Sequence, residues 1–268
     1  MPIIHYSAPV KLLVAVRGHP FERDAFDAIF QAMEGVSATM VDQPAAALLM
    51  NPDGMRGFDA LVLYDMPGLD FEDAVEKPRF VDPDPEVKAG FEALLTEGKG
   101  VVALHHALAG WPTWPEYGEW LGGRFLYRAG EVRGEKRLDS GYAHAVAYDA
   151  INVAPDHPVM AGLPERFAIT DELYLAEIFE GDVTPLLRSS HDFGAANFYS
   201  ATAALAGLMN DNQGWDHPAG SNLIGWTKRA INSPLVYLQP GDAAAAYDNP
   251  NYRRLLRNAI EWVVTERR

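Results

Sequence analysis

The chain contains no cysteine among its 268 residues. Disulfides, thiolate nucleophiles and cysteine-based metal sites are thereby excluded. Positive charge is scarce: 22 lysines and arginines stand against 37 acids, for a formal charge of −15. A nucleic-acid partner needs a basic footprint, and an anionic membrane surface attracts basic segments. Neither partner is expected. The acidity otherwise favours solubility. No apolar run is long enough to span a bilayer, and the opening Met1-Pro2-Ile3-Ile4-His5-Tyr6 lacks the basic-then-apolar pattern of a signal peptide. A cytoplasmic protein is the default expectation. Several signatures are also missing. No Gly-x-Gly-x-x-Gly follows the first strand and no Walker A pattern occurs, so a nucleotide cofactor is not supported. No Gly-x-Ser-x-Gly elbow is present, which disfavours a serine hydrolase of that design. There is no internal repeat, low-complexity tract or obvious linker, and the expectation is a single domain over residues 1–268.

What the chain does have is a stretch around which the rest is organised, Gly98-Lys99-Gly100-Val101-Val102-Ala103-Leu104-His105-His106-Ala107-Leu108-Ala109-Gly110. Val101 to Leu104 is a short apolar run, as suits a strand covered on both faces. The polarity then switches within one residue to two histidines. Similar runs at Val10–Val16, Val36–Val41 and Phe58–Tyr64 alternate with helical patterns. The first helix has its apolar face at Phe26, Ile29, Phe30 and Met33. A short Ala/Leu helix lies between Pro44 and Met50. A third starts at Asp84-Pro85, with Asp as cap and Pro in the first turn. Strand–helix alternation of this kind predicts an α/β fold: a flavodoxin-like three-layer sandwich with a mostly parallel central sheet.

Further along, the spacing predicts a helix from Pro115, an exposed loop over 129–141, a strand over Ala143–Val153 and a turn at His157-Pro158. Strands follow near Phe167–Tyr174 and Val183–Leu187. Leu223–Thr227 and Leu235–Leu238 read as a hairpin, and Asn249-Pro250 starts the last helix. Loops 66–84 and 191–220 are long, and long loops in compact domains are often functional.

Ligands of open α/β sheets bind beyond the carboxyl ends of the strands. His19, Asp65, His105 and Asp242 each follow an apparent core strand, so parallel strands would bring all four to one edge. Histidine is the common general base or metal ligand near neutral pH. Carboxylates complete mixed nitrogen–oxygen metal sites or orient a histidine. The plainer alternatives are loop capping for His19, packing for His106, and solvated loop positions for Asp65 and Asp242. In Asp171-Glu172-Leu173-Tyr174, Glu172 can be a general acid/base, a metal ligand or a solvated edge residue. His144 and His191 read as surface residues that could also join a metal site. Trp111 and Trp114 offer flat faces for a sugar ring, whereas Tyr117 and Trp120 fit a core at helical spacing.

The ordered motifs resemble those of the trehalose-utilisation (ThuA-like) family: Gly98 to His105, Trp120-Leu121-Gly122-Gly123-Arg124-Phe125, Asp156-His157-Pro158-Val159 with Gly162-Leu163-Pro164, Asp171 to Tyr174, Ile224-Gly225-Trp226-Thr227, and Tyr252 to Trp262. The resemblance implies a class I glutamine amidotransferase-like fold and a link to sugar catabolism. Two positions depart from pattern. Amidotransferases carry a cysteine nucleophile where this chain has His105, so amidotransferase activity is not expected. The family often has Gly-His after the last strand, where this chain has Gly241-Asp242.

Two readings follow. In the first, the chain is an enzyme, a lyase, isomerase or hydrolase, acting on a sugar or keto-sugar derivative by acid/base chemistry, with or without a divalent metal ion. His105 and Glu172 are then catalytic, and His19, His105 and Glu172 are the metal ligands. Trp111, Trp114, Asp65 and Asp242 contact the small-molecule carbohydrate. In the second, it is a non-catalytic sugar-binding or regulatory protein on a degenerate amidotransferase-like fold. A homo-oligomer joined through the aromatic stretch 111–120 is the third, blander expectation.

Overall fold

A computed structural model describes residues 7–73, 75 and 78–266; the reading of Met1 to Tyr6 falls outside that range. The strands alternate their side chains across a large sheet, which divides the core in two. In β1 (Val10–Arg17), Leu12, Val14 and Val16 face one layer while Leu13 and Ala15 face the other. The first layer is closed by α1 (Arg23–Gln31) and the last helix, Pro250–Thr265. The second is closed by α2 (Ala45–Leu49), α3 (Pro85–Thr96) and α4 (Pro115–Leu121). These are the three layers expected.

The parallel half of the sheet consists of β1, β2 (Val36–Asp42), β3 (Ala60–Asp65), β4 (Gly100–Leu104) and the strand Ser233–Leu238. Counting that last strand as fifth, the order is 2-1-3-4-5, the flavodoxin order. The rest of the sheet departs from parallel. Gly141–Asn152 is β5, Arg166–Leu175 is β6, Thr184–Ser189 is β7 and Leu223–Ala230 is β8; Ser233–Leu238 is therefore β9. All four of β5 to β8 pair antiparallel, in the order β6-β5-β7-β8-β9. Only the connection from β8 to β9, residues 231–232, is of hairpin length, and it requires that geometry because parallel neighbours need a crossover.

Smaller differences have local causes. The predicted loop 129–141 contains a short hairpin of Gly130–Val132 with Glu135–Arg137. Asp84 precedes α3, but its side chain makes no capping bond. Asn249 does cap its helix, accepting from the backbone N–H of Asn251 at 2.9 Å. His157 accepts from the Val159 N–H and so makes a turn. Among the described residues no helix is long and apolar enough to cross a membrane.

Candidate functional site

Three strand ends build the site, and each is pinned by its own backbone. After β4, His105 opens a 3-10 turn, His105–Ala109, with a positive φ of 29°. After β1, Gly18 has φ +96°, and a side chain there would meet the Met66 carbonyl at 2.2 Å. Only glycine fits, so the loop presenting His19 is seated against the next strand's end. After β9, Gly241 has φ +120°, and a side chain there would meet the Tyr252 hydroxyl at 2.2 Å. Its N–H donates to Asp171 Oδ2 at 2.5 Å, and the Asp242 N–H donates to Asp171 Oδ1 at 3.2 Å.

Asp171 and Glu172 are consecutive on β6 and therefore point to opposite faces. Asp171 holds the Gly241-Asp242 turn. Glu172 reaches His105, with Oε2 at 2.9 Å from Nε2, and His144, with Oε1 at 2.6 Å from Nδ1. His144 sits in a break of the β5–β6 register between Ala143 and Val146, where Ala145 has φ 51°. Such a bulge re-aims a side chain; here it carries a histidine onto Glu172.

His105 is fully buried. Its Nδ1 donates to the Gln239 carbonyl at 2.5 Å and its Nε2 faces the Glu172 carboxylate. Both neighbours are acceptors, so the ring is held as imidazolium. Burial works against that charge, but the Glu172 bond and the Asp242 and Asp171 carboxylates outweigh it and raise the pKa to about 9. Glu172, although buried, is held well below the usual carboxylate range by His105 and His144. His144 is half exposed, and its Glu172 bond raises its pKa. Burial pushes Asp171 up to about 6, against the pull of His105 and the Gly241 N–H.

His106 is the opposite case. It is 1% exposed, and neither ring nitrogen has a hydrogen-bond partner among the described residues. Its Nε2 lies 3.2 Å from Asp242 Oδ1, out of line for a hydrogen bond. Burial, with the nearby His105 and His19 rings, lowers its pKa to about 4 despite Asp242. The ring packs on His19 at 4.2 Å between centroids. Two sets of side chains bring three ligand atoms within 4.8 Å of one another: His19, His106 and Asp242, and His105, Glu172 and Asp242. The expected trio of His19, His105 and Glu172 is thus divided between two groups that share Asp242.

Glu172, His144 and His19 line a cavity of about 230 Å³ with Phe125, Tyr127, Tyr142 and Tyr174. Phe71 and Met209, from the two long loops, stand at its rim. His105 lies behind Glu172 rather than on the wall. A larger hollow of about 570 Å³, with Gln43, Pro44, Leu69, Val87 and Trp111 in its lining, holds no such constellation. None of the four expected substrate contacts, Trp111, Trp114, Asp65 and Asp242, lines the smaller cavity; Asp242 sits behind it beside His105 and His106. Trp114 is 4% exposed and stacks on Tyr117, because Tyr117, Trp114 and Phe91 form one aromatic cluster of the core. Trp111 lines the other hollow. Asp65 points away from His105 into the layer under α3, beside Phe91 and Trp114.

Asp65 carries its own prediction. Gln43 donates to its Oδ2 at 2.5 Å, while its buried Oδ1 has no partner among the described residues. Burial, against the Gln43 bond, raises its pKa to about 6. A carboxyl raised in the folded state favours folding at low pH, and that contribution fades as pH rises through about 6. The free-energy equivalent is about 3 kcal/mol, and an asparagine leaves an amide N–H unpaired at about 1–2 kcal/mol. Asp65→Asn is therefore expected to be more stable than wild type by about 1 kcal/mol at pH 7.5 and less stable near pH 4. Urea denaturation at both pH values checks this; equal losses at both would contradict it.

Sequence reasoning misses Gln239 and singles out His144 only as a surface residue that could join a metal site; its half exposure agrees, but its bond to Glu172 depends on a bulge, which has no signature in an alternating strand. Gln239 marks only a strand end, yet its carbonyl accepts from His105 and its side-chain oxygen from the Tyr174 N–H.

The model of the ThuA family, described as trehalose utilisation, matches residues 12–263. The chain belongs to that family. Membership implies a role associated with trehalose utilisation, consistent with sugar catabolism. A search of curated proteins gives no match. Among solved structures, a ThuA-like protein of Bacteroides uniformis ATCC 8492 is 18% identical, with a TM-score of 0.63, covering 100% of this chain and 97% of its own. A cytoplasmic protein of Salmonella typhimurium LT2 is 10% identical at a TM-score of 0.57, with 95% and 99% coverage. A GMP synthase protein of Thermoplasma acidophilum is 11% identical at 0.53, with 96% and 94% coverage. At such identities the likeness is one of fold, the class I glutamine amidotransferase-like fold. Within this ThuA chain, His105 takes the elbow after the central strand and has no direct opening to the cavity.

Proposed function

We propose that this ThuA protein is an enzyme of sugar catabolism that moves protons on a sugar or keto-sugar derivative, with His144 and Glu172 as the catalytic pair and His105 as a positioning residue. The observation that carries the reading is the Glu172 carboxylate bonded at once to buried His105 and to cavity-facing His144. His144 Nδ1 is held by Glu172, which leaves Nε2 for the substrate, as an orienting carboxylate does for a catalytic imidazole. As imidazolium, His144 donates to a carbonyl or glycosidic oxygen; as imidazole, it takes the proton from the carbon beside a carbonyl. The tyrosines and Phe125 suit the apolar face of a sugar ring. A cytoplasmic location fits the cytoplasmic Salmonella relative, and a small-molecule carbohydrate is the expected partner.

The test is turnover of trehalose and its keto derivatives, together with NMR exchange of the proton beside the carbonyl in D2O. His144→Ala is expected to lower kcat roughly 10²–10⁴-fold, with little change in stability because the side chain is half exposed. Binding of a keto-sugar without exchange or turnover would replace this reading by the non-catalytic one. One observation favours that alternative: both oxygens of Glu172 are already engaged.

A further inference from the structure

We propose that His19, His106 and Asp242 bind a divalent transition-metal ion through two imidazole nitrogens and one carboxylate. The first ground is the orphaned His106. A buried polar group without a partner is rare and costly, yet both its ring nitrogens lack one among the described residues. A neutral imidazole is the common ligand of such ions, and coordination would satisfy the nitrogen that faces Asp242. The second ground is spacing. Nitrogen and oxygen ligands at about 2.0–2.2 Å from a zinc-sized ion, set tetrahedrally, lie about 3.3 Å apart. His106 Nε2 and Asp242 Oδ1 are 3.2 Å apart, and His19 offers an atom within 4.8 Å of both.

Orientation supplies a third ground. His19 Nδ1 donates to the Pro20 carbonyl at 2.8 Å, which leaves Nε2 with its lone pair. This backbone bond is the kind that fixes the tautomer of a ligating histidine. The Asp242 backbone is clamped by Asp171, and the Gly18 turn is seated on Met66. By contrast, the group of His105, Glu172 and Asp242 offers no free nitrogen, because both ring nitrogens of His105 already face acceptors. Two imidazoles with one carboxylate suit Zn²⁺, Co²⁺, Fe²⁺ or Mn²⁺ rather than Mg²⁺ or Ca²⁺. His19 also lines the cavity of Glu172 and His144, so an ion held by three protein ligands can keep a position for a substrate oxygen. The site stands independently of the acid/base reading and is read without turnover.

The experiment is equilibrium dialysis of the chelator-treated full chain against Zn²⁺, with the visible spectrum of the Co²⁺ form as a second readout. One equivalent of Zn²⁺ is expected. His19→Ala and Asp242→Asn are each expected to weaken it at least tenfold, while Glu172→Gln still binds one equivalent. His19→Ala and Asp242→Asn are used because truncating fully buried His106 endangers folding, and circular dichroism under the dialysis conditions confirms that they and the destabilised Glu172→Gln are folded. Absence of Zn²⁺ and Co²⁺ binding to the wild type overturns the proposal. So does binding that survives His19→Ala and is lost in Glu172→Gln, which would place the ion at the other group.

Discussion

Glu172→Gln is expected to destabilise the chain by about 3–5 kcal/mol at pH 7, the range found when one partner of a buried ion pair is removed. The size follows from where the charges lie. His105 is fully buried and Glu172 is 3% exposed, so water cannot replace the lost carboxylate. His105 Nδ1 stays committed to the Gln239 carbonyl. The ring can escape only by releasing its Nε2 proton, which forfeits the stabilisation that raised its pKa. Two measurements check this together. The urea midpoint should fall with the slope unchanged. The His105 ring resonances should titrate well below the wild-type value of about 9. Glu172→Gln combined with His105→Gln should cost less than the sum of the two single changes, because coupled neighbours are not additive. A variant that unfolds at the wild-type midpoint, with His105 still titrating near 9, would show that the ion pair is not formed.

The second large effect is alkaline. A histidine whose folded pKa lies above its unfolded value stabilises the fold fully below the unfolded pKa and loses that contribution as pH rises through the folded one. For His105 the window runs from 6.5 to about 9. Across it the wild type should lose up to about 3 kcal/mol. His105→Gln should show a much flatter dependence over the same interval, although it starts from lower stability. Denaturation at pH 6.5, 7.5 and 9 gives the slope directly. Parallel slopes for the two proteins would assign the alkaline loss to other groups. Glu172 acts in the other direction: its depressed pKa contributes stability above the ordinary carboxylate range, and this is lost as pH falls. The pair is therefore strongest near neutrality.

The parallel half of the fold is legible in the sequence because its strands are continuous apolar runs and its helices carry clear faces such as Phe26, Ile29, Phe30 and Met33. Strand polarity alone brings His19, His105 and Asp242 to one edge. The same reasoning places Asp65 there, but successive residues of a strand face opposite layers, and Asp65 turns into the layer under α3 while Tyr64 faces His106. The antiparallel half is less legible. Its role depends on a register break at Ala145 that no residue pattern announces. Trp114 reads as a surface for sugar because exposure is not written in an aromatic cluster; the structure packs it on Tyr117.

Parity governs this site. Asp171 and Glu172 divide their tasks between two faces because they are neighbours on one pleated strand. A slip of one residue in β6 would exchange them, leaving Glu172 against the Gly241 turn and Asp171 toward His105. The extra residue in β5 sets a second parity, by which His144 rather than its neighbour meets the carboxylate. The chemistry is therefore written as a count of residues as much as a choice of them. A one-residue insertion or deletion elsewhere in either strand, leaving every site residue in place, can still erase it by changing that count.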